Sequence, residues 1–111
     1  MSLYRILLVD DEEEVRKGII RKIDWGHLGF QMAGDAENGE DALEKIEQLK
    51  PDVVMTDIRM PYMDGLTLAG RIRQKYPSMK VLIFSGYDDF EYAQQAIKLN
   101  LVFSVRKDSD G

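Results

Sequence analysis

The residues best suited to chemistry are three aspartates that each follow a short apolar run. Asp57 comes after Val53, Val54 and Met55, and the pair Asp10 and Asp11 comes directly after residues 6–9, Ile-Leu-Leu-Val. Both runs predict buried strands, so each aspartate lies where a strand gives way to a loop. Open α/β sheets carry their chemistry at the carboxyl ends of parallel strands. The sequence therefore predicts a site at this edge of a sheet.

A cation is expected at that site because several carboxylates would converge there. Two carboxylates about 4 Å apart repel by roughly 4 kcal/mol at an effective dielectric near 20, so three of them either shift their pKa values or bind a positive ion. The chain has no cysteine and one histidine, which leaves hard oxygen ligands. Such ligands suit Mg²⁺, which commonly bridges carboxylates and phosphate oxygens.

Two further polar residues follow predicted strands and complete a phosphoryl-transfer constellation. Ser85 follows the run 81–84, and Lys107 follows the run 101–105. An aspartate beside a metal ion can attack phosphorus to form an acyl phosphate, with Lys107 as a point charge and Ser85 as a hydroxyl donor on the phosphoryl oxygens. No residue suggests a base for an external substrate. The chemistry therefore favours Asp57 as a self-modified switch.

The elements that must position these residues alternate between strands and helices. The apolar runs predict five strands, and the helical periodicity of the segments between them predicts four helices. Continuous apolar strands favour a doubly wound parallel sheet covered on both faces, and the order 2-1-3-4-5 brings all the polar strand ends to one crevice. A fifth helix is apparently absent, since only 108–111 follow the last strand and Lys107. The predicted strands are 4–9, 30–36, 53–55, 81–84 and 101–105, and the helices begin at 11–14, 41, 66 and 88.

The loop after Asp57 is expected to be structural. Asp64 and Gly65 suit a turn and a helix start, and Met60, Met63 and Tyr62 suit loop packing better than a ligand site.

Length, composition and charge limit the broad class. The 111 residues, 44% of them hydrophobic, predict one globular domain over 1–111. The formal charge of −5 argues against direct nucleic acid contact, so any DNA binding would belong to another domain. No segment has the roughly 18 consecutive apolar residues of a membrane span, and no leader opens the chain, so a cytoplasmic location is expected.

The combination of these motifs resembles the receiver domain of bacterial two-component response regulators over essentially the whole chain. The resemblance rests on Asp10 and Asp11 after the first strand, Asp57 within the motif at 56–65, Ser85 after the fourth strand and Lys107 after the fifth. The segments 25–30, 36–39 and 85–93 further resemble receivers joined to AraC-type DNA-binding domains.

The resemblance implies a role for each of these residues. Asp57 would be the phosphoacceptor, Ser85 and Lys107 would hold the phosphoryl group, and Mg²⁺ would be bound by Asp10, Asp11, Asp57 and the backbone carbonyl of Arg59.

The same resemblance implies partners for the domain. The phosphoryl donor would be a sensor histidine kinase, and an AraC-type output domain would follow in a longer chain of which this is an N-terminal fragment. The domain itself would contact neither nucleic acid nor membrane. It would catalyse only its own phosphorylation and dephosphorylation. A homodimer is compatible with the resemblance.

Two alternatives remain at this stage. Receivers usually carry proline after the terminal lysine and an aromatic residue three before it, whereas this chain has Asp108 and Ser104, with Phe103 one place off and on the opposite strand face. A degenerate receiver that serves only as an interaction module is therefore one alternative. A small phosphotransferase or phosphatase is the other, although Arg59 stands where such enzymes need an acid/base aspartate.

Overall fold

A computed structural model describes residues 3–85 and, near the carboxyl end, the strand at 103–106. For Ser85 and residues 103–106 only the backbone is described. The predicted helix at 88–99, Lys107, Asp108 and the apparent absence of a fifth helix lie outside the described residues.

The five strands that the structure describes form one parallel sheet in the order β2-β1-β3-β4-β5, which confirms the predicted topology. Both faces of β1 are buried, because Leu7 and Val9 pack on one side while Ile6 and Leu8 are equally inaccessible on the other. This explains why its sequence is continuously apolar. The described elements are β1 (Tyr4–Val9), α1 (Glu13–Lys22), β2 (Phe30–Ala36), α2 (Gly39–Leu49), β3 (Val53–Asp57), α3 (Gly65–Lys75), β4 (Lys80–Ser85) and β5 (Phe103–Arg106).

The predicted bounds hold for β1 and β2. For most of the other described elements, the observed bounds differ from the predicted ones by one or two residues. The helix α2 begins at Gly39, two residues before its predicted start, because the Asn38 side chain accepts a hydrogen bond from the Asp41 N–H at 2.8 Å. This N-cap compensates for the poor helix propensity of glycine. The strand β5 runs from Phe103 to Arg106 and not over the predicted 101–105.

The main core lies between one face of the sheet and the helices α2 and α3. Two of the residues expected to face inward from α3, Ala69 and Ile72, are buried, and Leu68 is buried as well. Leu66, also predicted to face inward, is half-buried against a smaller cluster of Ile58 and Ile83. The main cluster comprises Leu7, Val9, Ala36, Ala42, Ile46, Val54, Met60, Met63, Leu68, Ala69, Ile72 and Val81.

The helix α1 is the least covered of the three described helices. Its predicted apolar face of Val15, Ile19 and Ile23 is half-buried, and within the described chain none of its ten residues falls in the buried class. Within residues 3–85 and 103–106, none of the helices has both the length and the apolar composition required of a bilayer span.

Candidate functional site

The carboxyl edge of the sheet brings Asp10 and Asp57 to the same level on neighbouring strands. Val9 of β1 pairs with Thr56 of β3, so the next residue along each strand is an aspartate. Asp10 is fully buried and Asp57 is only 4% exposed. Buried carboxylates are costly unless bonded groups or ions compensate for the lost hydration. Their burial therefore marks this edge as the candidate site.

Asp10 is held by hydrogen bonds on both its backbone and its side chain. Its N–H donates to the Ala36 carbonyl at 3.1 Å, and its own carbonyl accepts from Nη1 of Arg16 at 2.7 Å. The Glu12 N–H donates to Oδ1 of Asp10 at 2.8 Å. The carboxylate is thus oriented by β2, by α1 and by the turn that follows it.

Three consecutive acids form a potential metal-binding group at this point. Asp10, Asp11 and Glu12 each offer a carboxylate oxygen, and these oxygens all lie within 4.8 Å of one another. Asp11 and Glu12 are exposed, and Asp57 is not a member of this group. Glu12 was not predicted as a site residue, although the unbroken acidic run from Asp10 could have indicated it.

The mutual repulsion of these carboxylates favours the binding of a positive ion beside them. At the 4.8 Å limit of this group, two carboxylates repel by roughly 1 kcal/mol in water and by roughly 3 kcal/mol at an effective dielectric near 20. An oxygen donor set of this kind fits a hard divalent cation such as Mg²⁺.

The loop after β3 fixes the orientation of the Asp57 carboxylate. Its Oδ1 accepts a hydrogen bond from the Ile58 N–H at 2.9 Å, and the Thr56 hydroxyl donates to the Asp57 carbonyl at 2.9 Å. The Gly65 N–H donates to the Ile58 carbonyl at 2.7 Å, which brings the start of α3 onto the end of β3. A Cβ atom at Gly65 would lie 2.1 Å from the Asp57 carbonyl oxygen. Only glycine fits this close approach.

Within that loop, Met60 and Met63 turn into the main core, which confirms that they serve packing. The prediction for Tyr62 was wrong, because its side chain is 97% exposed. The Met63 N–H donates to the Pro61 carbonyl at 2.8 Å, and Tyr62 at the centre of this three-residue turn has φ of 71°. Such a γ-turn is strained for a non-glycine residue. The reversal sends both methionines inward and the tyrosine outward.

An open cleft of about 390 Å³ lies between Asp11 and the loop after β3. Arg59, whose carbonyl was predicted to bind metal, lines this cleft. The cleft is large enough for a phosphoryl group with ordered water around it. Its lining residues are Asp11, Ile58, Arg59, Met60, Pro61 and Asp64.

The remaining two predicted site residues are placed only in part. Asp57 pairs with Phe84 of β4, so the backbone of Ser85 follows at the next level on the neighbouring strand. Ser85 in turn pairs with Arg106 of β5, the residue before Lys107. The Ser85 side chain and Lys107 itself lie outside the described residues.

A second charged cluster joins α2 to the end of α3, away from the carboxyl edge. Nζ of Lys75 lies 2.6 Å from a carboxylate oxygen of Glu47, and the Tyr76 hydroxyl donates to the same oxygen. These two bonds, the one from Lys75 foremost, lower the pKa of Glu47 to about 2. The same ion pair raises the pKa of Lys75. The cluster links the two helices that flank the loop after β3.

Comparison with known proteins identifies the family to which this arrangement is similar. The family described as "Response regulator receiver domain" matches residues 6–111. The YesN protein of Bacillus subtilis, described as an uncharacterized transcriptional regulatory protein, is 43% identical over 96 residues, which make up 86% of this chain and 26% of YesN. The chain spans less than half the length of the curated relatives it matches first.

Solved structures show the same similarity in three dimensions. The receiver domain of AraT, a response regulator from Geobacillus stearothermophilus, is 40% identical with a TM-score of 0.85, and the match covers 95% of this chain and 81% of that one. A two-component transcriptional regulator, AraC, from Clostridium phytofermentans is 42% identical with a TM-score of 0.84, over 96% of this chain and 81% of that one.

Proposed function

The chain belongs to the response regulator receiver family, and from that premise we propose that Asp57 accepts a phosphoryl group from a sensor histidine kinase in a Mg²⁺-dependent reaction. The domain is a signalling module and not a metabolic enzyme. Its only catalysis would be its own phosphorylation and dephosphorylation.

The observation that carries the proposal is the burial of Asp10 and Asp57 at the ends of neighbouring strands, with the exposed carboxylates of Asp11 and Glu12 close to that of Asp10. Strand-end carboxylates at a topological switch point suit phosphoryl chemistry. A structural role would more often exclude such charges from the interior.

The donor set fits Mg²⁺, which Asp10, Asp11 and Asp57 would hold together with the Arg59 carbonyl. Mg²⁺, when bound, neutralises charge on phosphoryl oxygens. Glu12 lies close enough to Asp10 and Asp11 to add its negative charge to theirs.

The protein groups then act in defined ways. A carboxylate oxygen of Asp57 forms the new bond to phosphorus while the phosphorus–nitrogen bond of phosphohistidine breaks, and the bonding electron pair returns to the imidazole nitrogen. The Ile58 N–H holds the Asp57 carboxylate in position through its bond to Oδ1. Ser85 and Lys107 would donate to the phosphoryl oxygens, with Lys107 supplying a full positive charge.

The output of the switch is proposed from the relatives. YesN is named as a transcriptional regulatory protein, and the Clostridium phytofermentans relative as a two-component transcriptional regulator, AraC. We therefore take residues 1–111 as one receiver domain, the N-terminal part of a longer cytoplasmic regulator with an AraC-type DNA-binding domain. The net charge of −5 supports a receiver that does not itself contact DNA.

A second candidate function is an interaction module that is never phosphorylated. Ser104 and Asp108 support it, because they replace the aromatic residue and the proline that receivers usually carry at the carboxyl end. Mg²⁺-dependent binding of beryllofluoride, a phosphoryl mimic, separates the two, since only a competent phosphoacceptor site would bind it.

The direct test is intact mass after incubation with acetyl phosphate, with and without Mg²⁺. The parent chain should gain one phosphoryl group only when Mg²⁺ is present, and Asp57→Asn should gain none. Asp52→Asn is the matched control, because it makes the same substitution just before β3, at the opposite edge of the sheet. A gain that persists in Asp57→Asn would refute the assignment. Continued absence of any gain in a chain extended past Gly111 would favour the interaction module.

A further inference from the structure

One charged side chain behind the acidic group connects three elements of the fold. The guanidinium of Arg16, on α1, donates from Nε to Oδ2 of Asp35 on β2 at 2.8 Å and from Nη1 to the Asp10 carbonyl at 2.7 Å. The Arg16 side chain is only 13% exposed, while that of Asp35 is 42% exposed. Because the guanidinium is planar and rigid, the directions of its two hydrogen bonds are fixed relative to each other.

The contact to Asp10 acts on the peptide next to the metal-binding carboxylates. The Asp10 N–H is bonded to β2, and the Asp10 carbonyl is bonded to Arg16, so the backbone on both sides of its Cα is held. The direction of the Asp10 side chain follows from that backbone, as does the position of the Glu12 N–H that bonds to Oδ1. Through its hydrogen bond to the Asp10 carbonyl, Arg16 therefore constrains the backbone that positions the acidic turn.

Asp35 itself is anchored on its other side. Nζ of Lys45, on α2, donates to the Asp35 carbonyl at 2.5 Å and lies 3.3 Å from a carboxylate oxygen of Asp41. The partner that orients Arg16 is therefore fixed to a second helix. A connected chain of polar contacts runs from α2 through β2 and α1 to Asp10.

We infer that Arg16 is a positioning residue for the Mg²⁺ site, acting through the Asp10 backbone and oriented by Asp35. This inference rests on the proposed function, because it assigns Arg16 a role in the binding of the proposed metal ion. Outer groups that orient metal ligands commonly change metal affinity by about 10- to 100-fold when they are removed.

The sign of the effect separates positioning from simple electrostatics. Arg16 carries a positive charge near a cation site, so removing it should strengthen Mg²⁺ binding if charge alone matters. If Arg16 positions the metal-binding carboxylates, removing it should instead weaken Mg²⁺ binding, because these carboxylates would no longer be held in place. Lys17→Gln provides the charge-matched control: Lys17 is the next residue on α1, is exposed and pairs with Glu13.

The experiment is a Mg²⁺ titration of the ¹⁵N-labelled chain followed by NMR. Arg16→Gln should bind Mg²⁺ about tenfold more weakly than the parent, whereas Lys17→Gln should bind equally or slightly more tightly. Before any metal is added, the Glu12 amide resonance should already move in Arg16→Gln and stay in place in Lys17→Gln. This second readout reports the metal-free geometry directly.

Two conservative variants keep the test decisive if Arg16→Gln fails to fold. Arg16→Lys keeps the charge but cannot reproduce both fork contacts, and Asp35→Asn removes only the charge of the orienting partner. Both should bind Mg²⁺ more weakly than the parent, by less than the roughly tenfold loss expected for Arg16→Gln. Affinities equal to the parent in both variants, with an unmoved Glu12 amide, would overturn the inference.

Failure of the inference can be told from failure of the proposed function. If the parent binds Mg²⁺ saturably and Asp11→Asn abolishes that binding, the metal site is established whatever Arg16 does. Unchanged or tighter binding in Arg16→Gln would then refute the positioning role alone. Absence of saturable binding in the parent would refute the proposed metal site, and the role of Arg16 with it.

Discussion

Replacing Gly65 with alanine should disrupt the junction between β3 and α3 more than any ordinary glycine substitution. The added Cβ would lie 2.1 Å from the Asp57 carbonyl oxygen and 3.0 Å from both the Asp57 carbonyl carbon and the Ile58 Cα. Real Cβ contacts essentially never fall below 3.0 Å, so the two backbone segments must separate by at least about 0.9 Å. Both sides of the contact are backbone, so neither can move aside by changing a rotamer.

The magnitude follows from this geometry. Overpacking typically costs about 1–3 kcal/mol, and a clash of backbone with the added Cβ belongs at the upper end, about 3 kcal/mol. With a urea dependence of about 2 kcal/mol per molar, the unfolding midpoint should fall by about 1.5 M. The separation would also stretch the bond from the Gly65 N–H to the Ile58 carbonyl. Because the Ile58 N–H orients the Asp57 carboxylate, the proposed phosphoryl acceptance should decline even in the folded fraction.

Gly70→Ala is the matched control, because it makes the same change in the same helix. Apart from its chain neighbours and the adjacent backbone of its own helix, no atom of the described residues lies within 4 Å of the position of its added Cβ. Replacing glycine with alanine inside a helix stabilises by about 0.5–1 kcal/mol, so the midpoint of this variant should rise by about 0.4 M. Urea unfolding followed by circular dichroism measures both. Equal midpoints for Gly65→Ala and the parent would refute the argument that this contact requires glycine.

Two further predictions concern the helices around the loop. Asp64→Ala should lower the free energy of unfolding by about 1 kcal/mol, because it removes the side chain that caps α3. Asp64→Asn should retain most of the stability. Urea midpoints that fall equally in the two variants would contradict the capping role. Glu47 has a pKa lowered to about 2 by Lys75 and Tyr76, so its contribution to stability is present above the unfolded pKa near 4.5 and is lost as the pH falls toward 2. The difference in urea midpoint between the parent and Glu47→Gln should therefore be larger at pH 7 than at pH 3. Glu44→Gln, on the same helix, is the control. A difference for Glu47→Gln that does not change with pH would refute the stabilising role of the ionised Glu47 carboxylate.

The central strands β1 and β3 could be predicted because both of their faces are largely buried. A continuous apolar run between polar turns has few other stable solutions, so the bounds of β1 were correct to the residue. The bounds of β2 were also correct, although its sequence is less apolar and only Ala36 in it is buried. Helix starts were less certain. Gly39 disfavours a helix by propensity, and only the side-chain bond of Asn38 to the Asp41 N–H shows that α2 already includes it.

The apolar runs and the acids that follow them were enough to predict β1 and β3 and to put Asp10 and Asp57 at strand ends, since an acid directly after a buried strand lies at its end. The doubly wound order expected for such strands was confirmed. Tertiary structure alone decided how those acids are held. The reach of Arg16 to both Asp10 and Asp35, and the approach of Gly65 to the Asp57 carbonyl, join residues that no local periodicity relates. Such contacts depend on strand register and helix placement, which become defined only when the layers pack together.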